Sequence, residues 1–193
     1  PSYREFLDYL NYIEHEHKGP IAVDVETCQP GSHIDILGIA TTPYYAMSYQ
    51  ILRGRRPVLP FEKELHLWRR IGTVLRKAPT IYHNASYDCI VLHNHTGVYS
   101  ENLVCDTLLA AHVIWPETPR SLSFLASICL NVPPWKHTSS ENPGRYNAAD
   151  AANTHGIFGV IDPEIDRIGQ RHIFEHEMRQ LWPAMMLQTQ GIW

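Results

Sequence analysis

Ile21-Ala22-Val23-Asp24-Val25-Glu26-Thr27 is the stretch on which the fold turns. Ile21 to Val23 read as the start of a short buried strand that ends at Asp24, leaving two carboxylates at its C-terminal end. Strand side chains alternate, so Asp24 and Glu26 project to the same side of a sheet. Carboxylates placed so repel unless a cation lies between them or one is protonated. A lone Asp-x-Glu is equally the end of a solvated strand, so its weight depends on what surrounds it.

Before this stretch, Tyr3, Phe6, Leu7, Leu10 and Ile13 recur at helical spacing over residues 3–15, and Lys18-Gly19-Pro20 ends that helix. After it, strands are expected over 34–41 and 44–51 with Thr42-Pro43 as the turn, which makes an antiparallel meander. The period then changes. A helix from Pro60 through Lys77 shows Leu65, Trp68, Ile71 and Leu75 on one face, and Pro79 stops it. A short central strand (80–83), a helix (86–94), a strand (103–105) and a helix (107–114) follow. This alternation predicts an α/β fold with a mixed five-stranded sheet flanked by helices. Beyond Trp115-Pro116 only helices are expected. Ser121 is the N-cap of one running to Leu130, and 131–143, with three prolines, reads as a mobile loop. A helix is expected from Pro143 to about Val160, and Pro163 starts a final one, kinked or broken near Pro183. No repeat or linker divides residues 1–193, which read as one domain.

The 193 residues carry 16 Lys plus Arg and 20 Asp plus Glu, a net charge of −4, with 44% hydrophobic residues. That composition excludes a disordered acidic tail, a collagen-like repeat and a polybasic arm. No apolar run approaches the ~18 residues of a membrane span. Cys28, Cys89, Cys105 and Cys129 form no CxxC pair, so neither a zinc site nor a disulfide framework is indicated, and Cys89 and Cys105 read as buried thiols in a reducing compartment. Glu14-His15-Glu16-His17 lacks the HExxH pattern and reads as an exposed helix end. Arg53-Gly54-Arg55-Arg56 reads as a solvated face that becomes a phosphate contact if the substrate is a nucleic acid. Tyr44, Tyr45 and Tyr49 read as strand packing. The chain begins at Pro1 rather than Met and so reads as a fragment or processed product, with room for a removed targeting segment.

Two further motifs join the first. In Asn84-Ala85-Ser86-Tyr87-Asp88, Asp88 falls in the first turn of a helix that follows a short strand, where the helix dipole favours an anion and where open sheets bind ligands. In Tyr146-Asn147-Ala148-Ala149-Asp150, a four-residue step stacks a phenol and a carboxylate on one helical face, and the alanines allow close approach to the sheet. Each alone is an ordinary surface feature. Together, Asp24, Glu26, Asp88 and Asp150 would meet at one sheet edge. Oxygen ligands without thiolate or imidazole select Mg²⁺ or Mn²⁺. Two such ions, about 4 Å apart, are the device for in-line displacement at phosphorus, which points to phosphodiester hydrolysis. The net charge therefore does not argue against a nucleic-acid substrate, because divalent ions would offset the four assigned acids.

DxE, N-x3-D and Y-x3-D in this order resemble the DEDDy branch of the DnaQ-like 3′→5′ exonucleases, which have an RNase H-like fold. Within that branch the likeness is to the proofreading domain of family A DNA polymerases, carried by Asn142-Pro143-Gly144-Arg145-Tyr146-Asn147-Ala148-Ala149-Asp150-Ala151, by Cys105-Asp106-Thr107-Leu108-Leu109 and by the tail from Leu181 to Ile192. The resemblance implies that Asp24 bridges two Mg²⁺ or Mn²⁺ ions, with Glu26 and Asp150 completing one site and Asp88 holding the other. It implies that Tyr146 orients the attacking water, that Glu26 accepts its proton or is a second orienter, and that Asp106 is supporting structure. Asn84, Thr27, Arg53 and Arg55 are the substrate-binding candidates. The apolar wedge that relatives place under the terminal base has its counterpart in Pro30, Ile34, Leu37 or a residue of 131–143. The implied substrate is a single-stranded or frayed 3′ end of DNA, the product a nucleoside monophosphate, and the implied setting a polymerase in the same chain, in cytoplasm or nucleoid. The alternatives are an RNase D or Werner-type exonuclease on RNA or other structures, and a catalytically silent domain that only binds DNA or braces a polymerase.

Overall fold

The boundaries of the elements have local causes. Ser2 accepts a hydrogen bond from the Glu5 N–H, and the Glu5 carboxylate accepts from the Ser2 N–H, so helix α1 (Tyr3–His15) starts with both donors satisfied. Phe6, Tyr9, Leu10 and Ile13 form its buried face. A computed structural model describes residues 1–28 and 33–191 of the chain. Strands β1 (Ile21–Thr27), β2 (Ile34–Thr42) and β3 (Tyr45–Gln50) form the expected antiparallel meander. A two-residue hairpin, β4 (Leu52–Arg53) with β5 (Arg56–Pro57), was not foreseen; its turn is made by Gly54 and Arg55, both with positive φ.

Helix α2 (Phe61–Lys77), β6 (Thr80–Tyr82), α3 (Ala85–Thr96), β7 (Leu103–Asp106) and α4 (Thr107–Ile114) then complete two crossovers. The main sheet has the order β3-β2-β1-β6-β7, antiparallel on the meander side and parallel from β1 to β7. Helices α5 (Leu122–Cys129), α6 (Pro143–Arg167) and α7 (Arg171–Gln190) follow, with Ser121 capping α5 through the Phe124 N–H.

The sheet separates two apolar layers, and β1 feeds both. Ile21, Val23 and Val25 pack with Phe6, Leu10 and Leu75, whereas Ala22 packs with Ala40, Ala151 and Ile157 on the α6 side. Alternation therefore puts Asp24 and Glu26 on the α6 side with Ala22.

Several expectations are corrected. Strand β1 does not end at Asp24 but runs to Thr27, because β2 pairs with it all the way to Ile34. Pro163 does not start the last helix; it lies inside α6, which continues to Arg167. A proline there frees the carbonyl four residues back, at Gly159, and residues 159 and 160 are exposed, so water can satisfy it. The break comes instead at Gly169, whose φ of 72° is the left-handed stop. Pro183 likewise leaves α7 unbroken to Gln190. The 131–143 segment is more than a loop, since it holds a 3-10 turn at Lys136–Thr138. Tyr49 packs in the core and Tyr45 lies edge-on against Tyr9, but Tyr44 is 96% exposed. Cys89 and Cys105 are buried free thiols, as expected. Among the described residues, no helix is long and apolar enough to cross a membrane.

Candidate active site

The parallel pairing of β1 with β6 covers only Ile21 with Thr80 and Ala22 with Ile81; beyond it the strands part. Asp88, from the first turn of α3, enters this split. Its Oδ1 accepts the Val25 N–H at 2.9 Å, a donor the sheet has left without a neighbour strand. The turn that aims α3 is built by Asn84, which takes the left-handed conformation at φ 70°. Asp106 holds that turn. Its carboxylate accepts the N–H groups of Asn84 and Ala85 at 2.9 and 2.8 Å, and that of Leu108 at 2.9 Å, capping α3 and α4 together. Asp106 is thus supporting structure, as expected.

Helix α6 brings the remaining groups. Asn142 caps it by accepting the Arg145 N–H, and Pro143 sits in its first turn. The helix crosses β1 and β2 closely, and Gly38 makes room. Gly38 is paired with Asp24 across the strands, and a Cβ on it would lie 2.4 Å from Oδ1 of Asn147. Asn147 is fully buried, and its Nδ2 donates to Asp24 twice, at 2.7 Å to Oδ2 and 3.2 Å to the backbone carbonyl. One turn on, Asp150 joins Asp24 and Glu26, and one oxygen of each lies within 4.8 Å of the others. Among the described residues this is the single cluster with metal-ligating geometry, so the Glu14–His17 stretch is not one.

The electrostatics match an anion cluster that the Lys136 ammonium compensates only in part. Burial, followed by the charges of Asp88, Asp150 and Glu26, pushes the Asp24 carboxyl well above the usual carboxylate range, and only the Asn147 hydrogen bond opposes this. Asp88 is raised by burial against the pull of the Val25 N–H. Glu26 is raised by burial and by Asp150, while Lys136 pulls it back. Three hard oxygen donors in one place, strained by their own repulsion and free of thiolate and imidazole, fit a divalent cation such as Mg²⁺. Asp24, Glu26 and Asp150 are the residues that could hold it, with Asp88 beside Asp24.

The remaining candidates are more scattered. Thr27 Oγ1 is 2.7 Å from the Tyr87 hydroxyl. Asn84 is exposed and accepts the Ser86 hydroxyl at 3.2 Å, which ties it to the turn. Arg53 reaches Gln50 at 3.4 Å and lines a groove of about 380 Å³ whose other wall includes Asn142, Gly144 and Arg145, directly before Tyr146. Arg55 is exposed on the β4–β5 turn. Pro30 lies outside the described residues. Ile34 and Leu37 are buried in the core and have no surface to offer a base.

Three residues were missed. Trp135 donates its indole N–H to Asp150 Oδ1. Lys136 Nζ donates to the Tyr146 hydroxyl at 2.7 Å and to Asp150 Oδ2 at 3.2 Å. Asn147 anchors Asp24. A signal existed for Asn147, which stands three residues before Asp150 and so shares its helical face. For the other two the only cue was a lone Trp-Lys pair in a proline-rich segment. Burial is the largest influence on the Tyr146 hydroxyl and pushes it up to about 12, although the Lys136 hydrogen bond works against this.

A family profile of 3′-5′ exonucleases matches residues 4–166. No curated protein sequence matches the chain. Among solved structures, Brucella melitensis NrnC with bound Mg²⁺ is similar at a TM-score of 0.71 and 20% identity, over 92% of this chain and 89% of that one; NrnC is also known bound to pGG. Escherichia coli RNase D, an exoribonuclease involved in structured RNA processing, is similar at a TM-score of 0.71 and 17% identity, over 94% of this chain and 48% of that one. The POL domain of Pol1 from M. smegmatis, in complex with DNA primer-template and dNTP, is similar at a TM-score of 0.63 and 17% identity, over 86% of this chain and 27% of that one. At such identities the likeness speaks for the fold, which is the RNase H-like fold of DnaQ-type exonucleases, as expected. The profile match spans most of the chain and reaches from α1 to the end of α6, through every element that carries a carboxylate of the cluster, so the chain belongs to the 3′-5′ exonuclease family.

Proposed function

We propose that the protein hydrolyses the 3′-terminal phosphodiester of DNA, on a single-stranded or frayed end, with two divalent ions, Mg²⁺ or Mn²⁺. The observation that carries this reading is the convergence of Asp24, Glu26 and Asp150 within 4.8 Å, with Asp88 inserted beside them. Bound divalent ions would supply a water acidified to a nucleophile and charge relief for the leaving 3′-oxygen. Asp24 feels the charges of Asp88, Asp150 and Glu26 together, so it is the carboxylate that two ions would share, and the Asn147 amide holds it. Tyr146, raised to about 12, keeps its proton at neutral pH and so orients water as a donor rather than acting as a base. Glu26, whose carboxyl is raised by burial and by Asp150, is the group suited to accept the water's proton. Asn84, Thr27, Arg53 and Arg55 are the proposed substrate contacts, with the Arg53–Arg145 groove as the path of the strand.

A second reading, hydrolysis of RNA, is favoured by the likeness to RNase D and by the pGG complex of NrnC. One assay separates them: single-stranded and 3′-recessed DNA and RNA oligonucleotides incubated with Mg²⁺, Mn²⁺ or EDTA. Mononucleotides released from DNA 3′ ends, and lost in Asp24→Ala, support the first reading. Preference for RNA supports the second. Activity that persists in EDTA overturns both, and binding without cleavage marks a silent module.

A further inference from the structure

Lys136 makes a contact that the acidic centre alone does not explain. Among the described residues it is the single Lys or Arg within ion-pair distance of Asp24, Glu26, Asp88 or Asp150. Its Nζ holds Asp150 Oδ2 at 3.2 Å and the Tyr146 hydroxyl at 2.7 Å, and lies over the rings of Trp135 and Tyr146, 5.7 and 4.9 Å from their centroids. The other oxygen of Asp150 takes the Trp135 indole N–H. Each oxygen of Asp150 thus already accepts one donor, and the charged one, Lys136, holds Oδ2 beside the acidic cluster.

An ammonium and a divalent ion on the same carboxylate oxygen repel, so Asp150 can serve one of them at a time. Lys136 is 44% exposed along its side chain and sits on the proline-rich connection between α5 and α6, so it can swing without disturbing the core. Its hold on Tyr146 keeps it beside the place where a phosphate would be attacked. A centre of four carboxylates is hostile to a phosphodiester, and a displaced ammonium is the nearest positive side chain to meet one. We propose that Lys136 is a phosphate-binding residue: it is exchanged from Asp150 to the terminal phosphate of the substrate when Asp150 turns to a metal ion. This rests on the exonuclease reading for the identity of the phosphate, and on the contacts of Lys136 for the exchange.

The test uses the whole chain with Lys136→Gln and Lys136→Arg. Mn²⁺ binding without nucleotide, followed by electron paramagnetic resonance, is expected to tighten about three- to fivefold in Lys136→Gln, because a competitor worth one partly exposed ion pair is gone. Binding of thymidine 5′-monophosphate at saturating Mn²⁺ is expected to weaken about tenfold or more in Lys136→Gln, and to change less in Lys136→Arg, since a charge-assisted hydrogen bond to phosphate is lost. Unphosphorylated thymidine is expected to show no difference. Unchanged nucleotide affinity, or weaker Mn²⁺ binding, in Lys136→Gln overturns the proposal. Wild-type protein that binds the nucleotide through Lys136 but releases no mononucleotide from DNA or RNA sinks the exonuclease reading and keeps this one. An active enzyme indifferent to Lys136 does the reverse.

Discussion

Gly38→Ala is expected to damage the acidic centre without touching any acidic residue. Gly38 lies on β2 opposite Asp24, with no positive φ, so alanine is conformationally acceptable there and would by itself reduce the entropy of the unfolded chain. Any loss must come from contact. The new Cβ would lie 2.4 Å from Oδ1 of Asn147, 3.0 Å from its Cγ and 3.1 Å from its backbone carbonyl. Asn147 is fully buried and must give way, breaking its bonds of 2.7 and 3.2 Å to Asp24. Overpacking and the loss of a charge-assisted hydrogen bond together cost on the order of 2–4 kcal/mol. Asn147→Ala loses the bonds without the clash, about 1.5–3 kcal/mol. In the double variant the methyl introduced by Gly38→Ala enters the space the amide vacated, with only the backbone carbonyl still close. Its loss should fall short of the sum of the single losses by about 1–3 kcal/mol. Urea unfolding in EDTA measures this without a contribution from metal binding. Additivity within about 0.5 kcal/mol, or a Gly38→Ala protein as stable as wild type, refutes the reasoning.

The remaining predictions concern charge, capping and chemistry. Asp24 and Asp88 have folded-state carboxyls above the ordinary value, so the stability present below about pH 4 is lost as pH rises through those raised values. Asp24→Asn should therefore melt higher than wild type at pH 8 in EDTA, with the difference closing as pH falls toward about 4; a variant that melts lower at pH 8 contradicts this. Asp106→Ala should cost about 2–4 kcal/mol in urea unfolding, because one carboxylate caps two helices. A loss under about 1 kcal/mol would show that water replaces it. Tyr146→Phe should lower the single-turnover cleavage rate about 10²-fold and leave Mn²⁺ affinity near wild type, as the proposed role of orienting water without ligating the ion requires. A matching loss of Mn²⁺ affinity would place it in the metal shell instead.

Most element boundaries were legible because each carries a local signal. Ser2 with Glu5, Ser121, Asn142 with Pro143, and the apolar spacing of α1 announce themselves within a few residues. Two of the misread ones are cases where exposure overrides a breaker, while the end of β1 was set by its pairing with β2. Pro163 and Pro183 stand where water can take the freed carbonyl, and periodicity alone does not report which helix face is wet. The acids were legible by spacing, since Asp24 with Glu26 obeys the strand period and Asp150 the helix period.

Local patterning along the chain was therefore enough to set most of the elements, the mixed sheet and the spacing of its carboxylates, because period and capping are properties of neighbouring residues. How that edge is furnished was left to the packing of the folded chain. Asn147 reaches Asp24 only because Gly38, on another strand, lacks a side chain. Asp106 acts on Asp88 through the turn both share and through its charge, and β7 and α3 bring the two together. Lys136 reaches Asp150 only because the segment before α6 folds back over the cleft. Each of these depends on groups that become neighbours through the packing of separate elements, and no period in the chain records that distance.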